Sequence, residues 1–531
     1  MTTTLDRRLQ RLAEQQVRRR TAELTSRGVG NAAAVVLDLE TRAVVAWVGS
    51  ADFWSEAAQG QVDGVLARRS PGSTLKPLLY ALAFDRGLAV PDSWLLDLPR
   101  DYAGYVPQNY DGRYRGQVTA REALVQSLNA PAVALLAEVG LEPFHALLVK
   151  GGLTTLETEP GRHGLPLVLG AAEVDLVSLT NLYATLAAGG RHRPWTVRPE
   201  QAAGPAAGEP LLSSEAAALV LDVLTGVERP DLPESWKLAR GVPKVAWKTG
   251  TSFGHRDAWA VGVSGRRAIG VWVGNFDGTA VQGISGSRDA APLLFDLFRA
   301  VDGGGAAASP AASPAPVSTE IELCEVSRQL PGPWCPTRMT APYLPGRTRL
   351  TECRRHRRVL VDAESGELLP GSCGRGRPRV AKVVTVQPPE LVGWWRSRGQ
   401  AVEGLPPVAA GCSEAAAGRA PQILSPDPKT PYRLRRDAPR AYQKLPLVAH
   451  ADARAERLYW YQDGTLVTTA PPGDEVSDVL VVDAVDDRDV GAVRRPVGRH
   501  GGDRCCCWDQ DAFHGGITPR CAVAASRYVS G

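Results

Sequence analysis

The stretch VAWKTGTSFGHRDAWAVGVSGRRAIGVWVGNFDG, residues 245–278, decides the fold. It holds three short runs rich in Val, Ile, Trp and Ala, namely PKVAWKTGTS from 243, DAWAVGVSG from 257 and RRAIGVWVGN from 266, with Gly, Ser, Asp and Arg between them. Short apolar runs bounded by turn residues predict three β-strands joined by tight connections. The same signal occurs early in the chain, where NAAAVVLDLETRAVVAWVGS, 31–50, predicts two strands around a turn at Glu40 to Arg42. Between these ends, from 88 to 240, the apolar spacing is mainly helical. Two strands early, helices in the middle and three strands late predict an α+β domain whose antiparallel sheet draws on both ends of the segment.

The 531 residues have room for two to four cores. Residues 1–28 read as a polar helix or linker ending near Gly28, and 29–300 as the α+β domain. VDGGGAAASPAASPAPV, from 301, has nothing to pack and marks a linker over 301–318. Residues 319–415 form a Cys-, Pro- and Arg-rich connecting module. Over 416–490, short alternating runs with an Asp463-Gly464 turn predict a small all-β, sandwich-like domain. Residues 491–531, with CCCW at 505, show neither period and read as a disordered or aberrant tail.

The net charge of +4 is too small to argue for nucleic acid as a partner. No apolar run approaches the roughly 18 to 20 residues of a membrane-spanning helix. The opening MTTTLDRRLQRLAEQQVRRR lacks the apolar centre of a signal peptide.

Three short motifs carry chemistry. In SPGSTLKPLLYALAFDRG, 70–87, the leucines recur at helical spacing and Gly87 follows as a stop, so Ser73 and Lys76 share the first turn of a helix. In TAREALVQSLNAPAV, 119–133, Thr119 and Glu122 predict a capping box, and Pro131 suits the first turn of a following helix. Ser127 and Asn129 then sit between two helices, free to point into a cleft. In the third motif, Lys248, Thr249, Gly250, Thr251 and Ser252 follow a strand-forming run. Alternation puts Lys248 and Gly250 on one side and Thr249 and Thr251 on the other. Gly250 permits close approach of another backbone or a ligand. A cationic, hydroxyl-bearing edge suits an extended peptide ending in a carboxylate.

Each motif alone has an ordinary reading: a capped helix, a polar loop, an edge strand blunted by lysine. Together and in this order, S-x-x-K, S-x-N and K-T-G form the set described for penicillin-binding proteins and class A β-lactamases. On GQVDGVLARRSPGSTLKPLLYALAFDRG, VTAREALVQSLNAPAVALLAEVG, LPLVLGAAEVDLVSLTNLYATLAAGG and the 245–278 stretch, the chain resembles the penicillin-recognising serine transpeptidases. Within them it is most similar to the class A penicillin-binding proteins of the 1C type. The resemblance covers roughly residues 3 to 300 and continues into 420–472.

The resemblance implies a penicillin-binding and β-lactamase-like serine transpeptidase fold, an antiparallel sheet with a helical subdomain, followed by the small β domain. It implies a peptidoglycan stem peptide ending in D-Ala-D-Ala as donor, an acyl-enzyme on Ser73, and transfer to the amine of a neighbouring stem. Lys76 activates Ser73, and the backbone N–H groups of Ser73 and Thr251 hold the oxyanion. Ser127 passes a proton to the leaving amine, and Asn129 orients the lysine and the substrate amide. Lys248, Thr249 and Thr251 bind the terminal carboxylate, and Gly250 and Ser252 count with Thr249 and Thr251 as substrate-binding. A serine needs such a neighbouring base because its hydroxyl is a weak nucleophile at neutral pH. β-Lactams are expected on the same serine, wall-assembly proteins on the C-terminal domain, and no cofactor and no nucleic acid are required. The location implied is the periplasmic face of the inner membrane.

Such enzymes normally also hold a glycosyltransferase domain with a Glu-Asp pair ahead of an aromatic and a histidine. Its faint echo here, DQDAFHGG at 509–516, lies near the other end, so no glycan polymerisation is expected of this polypeptide. Rival readings are a D,D-carboxypeptidase or β-lactamase, and a non-catalytic peptidoglycan-binding or scaffold protein. Nine cysteines avoid the first 300 residues. In an oxidising periplasm Cys324, Cys335, Cys353 and Cys373 can form two disulfides by any of three pairings. Alternatively Cys353 and His356 have a zinc-like C-x-x-H spacing, with Cys324 and Cys335 as further ligands. The missing second close ligand pair favours disulfides, with no metal.

Overall fold

The computed structural model describes residues 2–102, 104–156, 160–202, 208–232, 244–301, 319–370, 376–402, 404–412, 422–425, 447–450, 457–462, 465–470 and 521–526. These fall into two compact units, one of 1–95, 118–323 and 339–351, the other of 96–117, 324–338 and 352–531. The units differ from the boundaries expected along the sequence. Composition shifts mark those boundaries, whereas compactness depends on which segments pack together. Of the linker expected over 301–318, Val301 ends a helix, and 302–318 lie outside the described residues.

The first unit opens with α1 (Arg7–Leu24), begun by Asp6, whose carboxylate accepts from the Arg8 and Leu9 N–H groups at 2.9 Å. The first-turn N–H groups of a helix lack intrahelical partners, which makes an aspartate a good start. Ala13, Val17, Thr21 and Leu24 are buried at helical spacing against α9 (Ala291–Val301) and the first two strands. The segment expected as a helix or linker is therefore a packed layer of this unit. Strands β1 (Asn31–Asp38) and β2 (Val44–Val48) follow as the expected hairpin. Next come α2 (Lys76–Asp85), the short pair β3 (Trp94–Asp97) and β4 (Gly116–Thr119), which flanks the 96–117 segment assigned to the other unit, then α3 (Ala120–Val125), α4 (Asn129–Val139) and α5 (Leu141–Lys150). Beyond α6 (Leu176–Ala187) lie the pair β5 (Arg191–His192) and β6 (Glu209–Pro210), the short α7 (Pro199–Ala202) and α8 (Ser214–Thr225).

The three late strands are β7 (Ala246–Thr251), β8 (Asp257–Ser264) and β9 (Arg267–Gly274). They join the early pair in one sheet of order β2-β1-β9-β8-β7, every neighbouring pair antiparallel. All eight residues of β1 and of β8 are buried, because helices cover both faces. That double burial is why these strands read as near-continuous apolar runs. Register separates the faces. Lys248 pairs with Val261 and Val261 with Gly270, and a Cβ on Gly270 would meet Thr180 of α6. The neighbouring position, Trp247, meets Phe295 of α9 edge-on with ring centroids 5.0 Å apart. Lys248 thus points toward the helical subdomain and Trp247 away from it.

Among the described residues no single helix is long and apolar enough to cross a membrane. The second unit is sparser. It contains the pair β12 (His356–Asp362) and β13 (Arg379–Thr385) and the helix α10 (Pro389–Ser397). Ahead of it, β10 (Thr319–Cys324) pairs with β11 (Arg338–Tyr343). A small cluster of Leu369, Ala409 and Cys412 with Leu360 and Val408 forms a core. Further on, β14 (Gln422–Ser425) pairs with β15 (Val448–His450), and β16 (Arg457–Gln462) is flanked by β17 (Thr465–Ala470) and β18 (Cys521–Ser526). Gln462 stands opposite Thr465, as the hairpin reading requires, while residues 463 and 464 lie outside the described residues. Strand β18 lies within the segment expected as a disordered or aberrant tail, and its backbone pairs with β16; the rest of that segment lies outside the described residues.

Candidate active site

The helix that carries Ser73 and Lys76 begins as a 3-10 turn, Gly72–Leu75, before becoming α2 at Lys76. The Lys76 N–H donates to the Ser73 carbonyl across that turn. Ser73 is partly exposed, whereas Lys76 is completely buried. The turn is fixed on several sides. The Tyr183 hydroxyl of α6 donates to the Thr74 carbonyl at 2.7 Å, and the Ser70 hydroxyl donates to the Gly170 carbonyl at 2.7 Å. Just upstream, the Arg69 guanidinium donates to the carbonyls of Asn275 and Phe276 beyond β9 and lies 4.6 Å over the Trp272 ring. Arg69, Ser70, Gly170 and Tyr183 escaped the sequence reading. Each contact joins a side chain to a backbone carbonyl about a hundred or more residues away, which no local pattern reveals.

The second motif folds as its capping box predicts. The Thr119 hydroxyl accepts from the Glu122 N–H and the Glu122 carboxylate accepts from the Thr119 N–H, and both start α3. The chain then turns at Ser127, which takes a left-handed φ of 58°, and Asn129 opens α4. A left-handed non-glycine residue costs free energy and persists only where its surroundings hold it. Here two lysines do so. Lys76 Nζ donates to the Ser127 carbonyl at 2.7 Å and to Asn129 Oδ1 at 2.6 Å. Lys248 Nζ donates to Ser127 Oγ at 2.8 Å and to the Thr249 carbonyl at 3.0 Å.

The third motif lies on β7, at one end of the sheet order. A Cβ on Gly250 would stand 2.1 Å from the Pro71 carbonyl oxygen, so the strand and the serine-bearing turn touch backbone to backbone. Gly72 meets the same strand, since its Cβ would fall 2.5 Å from the Thr251 carbonyl oxygen. Those contacts set Ser73 beside the Thr251 backbone. Lys248 is 1 % exposed, and burial alone pulls its ammonium down to about 7 from an ordinary 10.5. Thr249 and Thr251 are partly exposed on the opposite side of the strand, and the Thr251 hydroxyl accepts from the Gly286 N–H at 3.1 Å. Ser252 behaves differently from the expectation. It is buried, and its hydroxyl accepts from the Asp257 N–H at 2.9 Å, closing the β7–β8 hairpin.

The structure thus brings together Ser73, Lys76, Ser127, Asn129, Lys248 and Gly250, with Thr249 and Thr251 alongside. The arrangement gathers a partly exposed hydroxyl, Ser73, two buried amines and a second hydroxyl, that of Ser127, which is the set of groups that acyl transfer to a serine uses.

The cysteine expectation is corrected. Cys324, Cys335 and Cys353 are free thiols, gathered with His356 so that their ligand atoms all lie within 4.8 Å of one another. Pairing read from spacing fails because the connections bring Cys324 and Cys353 to the same histidine. Cys412 is disulfide-bonded, and Cys373 lies outside the described residues.

Residues 32–275 match the family described as the penicillin binding protein transpeptidase domain, and residues 410–479 the Penicillin-Binding Protein C-terminus Family. Penicillin-binding protein 1C of Escherichia coli (strain K12) is 41% identical over 294 residues, covering 55% of this chain and 37% of that protein. Penicillin-binding protein 1A of Neisseria cinerea is 29% identical over 296 residues, or 51% and 36%. The chain therefore spans little more than a third of the length of these curated relatives. A 2.6 Å crystal structure of penicillin-binding protein 1A from Haemophilus influenzae shares the fold, with a TM-score of 0.50 at 20% identity over 61% of this chain and 54% of that one. The chain thus carries one region that matches the penicillin-binding protein transpeptidase domain, 32–275, and another that matches the Penicillin-Binding Protein C-terminus Family, 410–479.

Proposed function

We propose that this chain is a serine-type peptidoglycan D,D-transpeptidase that binds penicillin covalently. The observation that carries the reading is the bridging of three distant motifs at Ser127, whose carbonyl is held by Lys76 and whose hydroxyl is held by Lys248. Core packing has no use for two buried lysines converging on one serine, whereas acyl transfer needs proton carriers on both sides of a nucleophile.

In the proposed reaction Lys76 takes the Ser73 proton and Ser73 Oγ attacks the carbonyl of the penultimate D-alanine. The Ser73 and Thr251 backbone N–H groups hold the oxyanion in this reading, which the close approach of Gly72 to the Thr251 backbone supports. Ser127, poised between the two lysines, delivers the proton to the departing D-alanine, and Asn129 keeps Lys76 aimed. The terminal carboxylate is received at the edge of β7, with Lys248 on one side of the strand and Thr249 and Thr251 on the other. The amine of a second stem peptide then resolves the ester and forms the cross-link. The place of action is the periplasmic side of the inner membrane, where that polymer lies, with the C-terminal region meeting other wall-assembly proteins.

Incubation with a fluorescent penicillin followed by peptide mass mapping tests the reading. Label on the peptide holding Ser73, lost in Ser73→Ala, is the expected result. A folded sample without label overturns it in favour of a stem-peptide-binding module. Release of D-alanine from a stem peptide, with no product when an acceptor amine is supplied, replaces transpeptidation by carboxypeptidation.

A further inference from the structure

One cluster of chemistry-bearing side chains lies outside the serine site, in the second unit. Cys324 ends β10, Cys335 precedes β11, Cys353 precedes β12 and His356 begins it. Cys324 is fully buried, His356 is 6% exposed and Cys353 8%, with Cys335 at the rim. Cys324 Sγ and Cys353 Sγ stand 3.4 and 3.5 Å from His356 Nδ1. Zinc bonds thiolate sulfur at about 2.3 Å and imidazole nitrogen at about 2.0–2.1 Å, so tetrahedral angles set sulfur-to-nitrogen edges of about 3.6 Å. The measured edges agree with that figure. Three sulfurs and one nitrogen form a donor set typical of structural zinc sites.

We propose that Cys324, Cys335, Cys353 and His356 bind one structural zinc ion that staples the second unit. Groups around the cluster suit thiolates. The Gly332 N–H donates to Cys335 Sγ at 3.3 Å, and the Ser327 hydroxyl with the N–H groups of Arg355 and His356 turns toward the Cys353 sulfur. Donors of this kind hold metal-bound sulfur in place. Three thiolates on a divalent ion leave one net negative charge, and the Arg355 guanidinium stands close enough to Cys324 and Cys353 to offset it. That guanidinium is itself held by Gln117, Gln387 and the Val326 carbonyl at 3.0 to 3.2 Å. Binding displaces the thiol protons and changes no oxidation state. A thiol network without metal fits less well, because one Nδ1 lone pair accepts from only one thiol.

The surrounding module has reason to use a staple. Most of β13 is exposed, β12 buries only its first residue and Val361, and the local core is a handful of side chains. Small modules with so little apolar burial commonly depend on a metal or disulfides. The zinc would tie the end of β10, the loop before β11 and the start of β12 at one point.

The test is metal analysis of the full chain purified without chelator from zinc-supplied cells. About one zinc per chain is expected, falling at least tenfold in Cys353→Ser. That variant can fail to fold in the second unit, so His356→Cys is measured beside it and keeps the metal with four sulfurs. Replacement of zinc by cobalt is expected to give the intense visible bands of a tetrahedral thiolate site, altered in His356→Cys. A metal-free chain whose three thiols all react freely overturns the proposal. So does an intact mass showing a disulfide among Cys324, Cys335 and Cys353, or bound zinc that persists in Cys353→Ser.

Discussion

Lys248 shows how one residue carries both a function and a cost. Free in an unfolded chain it titrates near 10.5, and buried on β7 it titrates near 7. Between those values the unfolded chain holds more protons than the folded one, so this group's contribution to stability rises with pH through that window. Below about 7 its full penalty is present. Lys248→Met keeps the length of the side chain and removes the charge. At pH 7 it is expected to melt no lower than the parent while penicillin acylation falls at least about a hundredfold. A clearly lower melting temperature contradicts this account of the site.

The same titration sets a pH dependence. Above about 7 the free site loses the cation that attracts a carboxylate, so the second-order acylation rate is expected to fall by up to about tenfold per pH unit. A penicillin ester, which lacks the anion, should not show that limb. Gly250 is the complementary case, a residue whose value is absence. Gly250→Ala would push a methyl group into the Pro71 carbonyl oxygen and toward Thr74 Cγ2. A loss of about 1–3 kcal/mol in urea unfolding is expected, with acylation down at least about tenfold. Wild-type acylation in that variant would mean that strand and turn need not touch.

At the scale of elements, the serine site is a meeting of ends. The turn before α2, the connection between α3 and α4, and the end strand of the sheet each supply one motif. The precision of the middle one depends on how α3 starts. Thr119→Ala removes the hydroxyl that accepts from Glu122 and is expected to cost about 1 kcal/mol, whereas Thr119→Ser keeps it. Because α3 runs into the Ser127 turn, acylation should fall about two- to fivefold in the alanine variant and not in the serine variant. Equal rates in the two would detach the cap from the site. Helix α1 shows another kind of support. Its C-terminal flank sends Arg27 to the fully buried Asp289 before α9, closing one face of the sheet.

At the scale of the whole molecule, the serine site and its supports lie within one compact unit, and the cysteine cluster lies within the other. A ligand that binds only the folded form of a unit stabilises that unit. Calorimetry is therefore expected to resolve two transitions, with penicillin acylation raising one and leaving the other unmoved. A single transition that shifts as a whole would show that the units unfold together.

The strands of the sheet were legible in the sequence because apolar runs and turn residues are local signals, and so was the capping box at Thr119 and Glu122. Ser73, Lys76, Ser127, Asn129 and Lys248 were legible as one candidate set because three motifs occur in a fixed order, and the fold joins those motifs through hydrogen bonds at Ser127 and Asn129. The packed role of α1 was not, since a helix with one narrow apolar stripe reads as polar until its partner α9 is placed. Nor were Arg69, Ser70 and Tyr183, whose side chains donate to backbone carbonyls far along the chain. For the cysteines, spacing offered disulfides and zinc together, and the fold gathers Cys324, Cys335 and Cys353 as free thiols around His356. Sequence by itself determined which elements form and which residue types can react, because propensity and spacing act over a few residues. Tertiary structure alone decided the burial that pulls Lys248 down to about 7, the hairpin role of Ser252 and the grouping of Cys324, Cys335 and Cys353 on His356. Desolvation and ligand geometry depend on atoms that the chain brings together only when it folds.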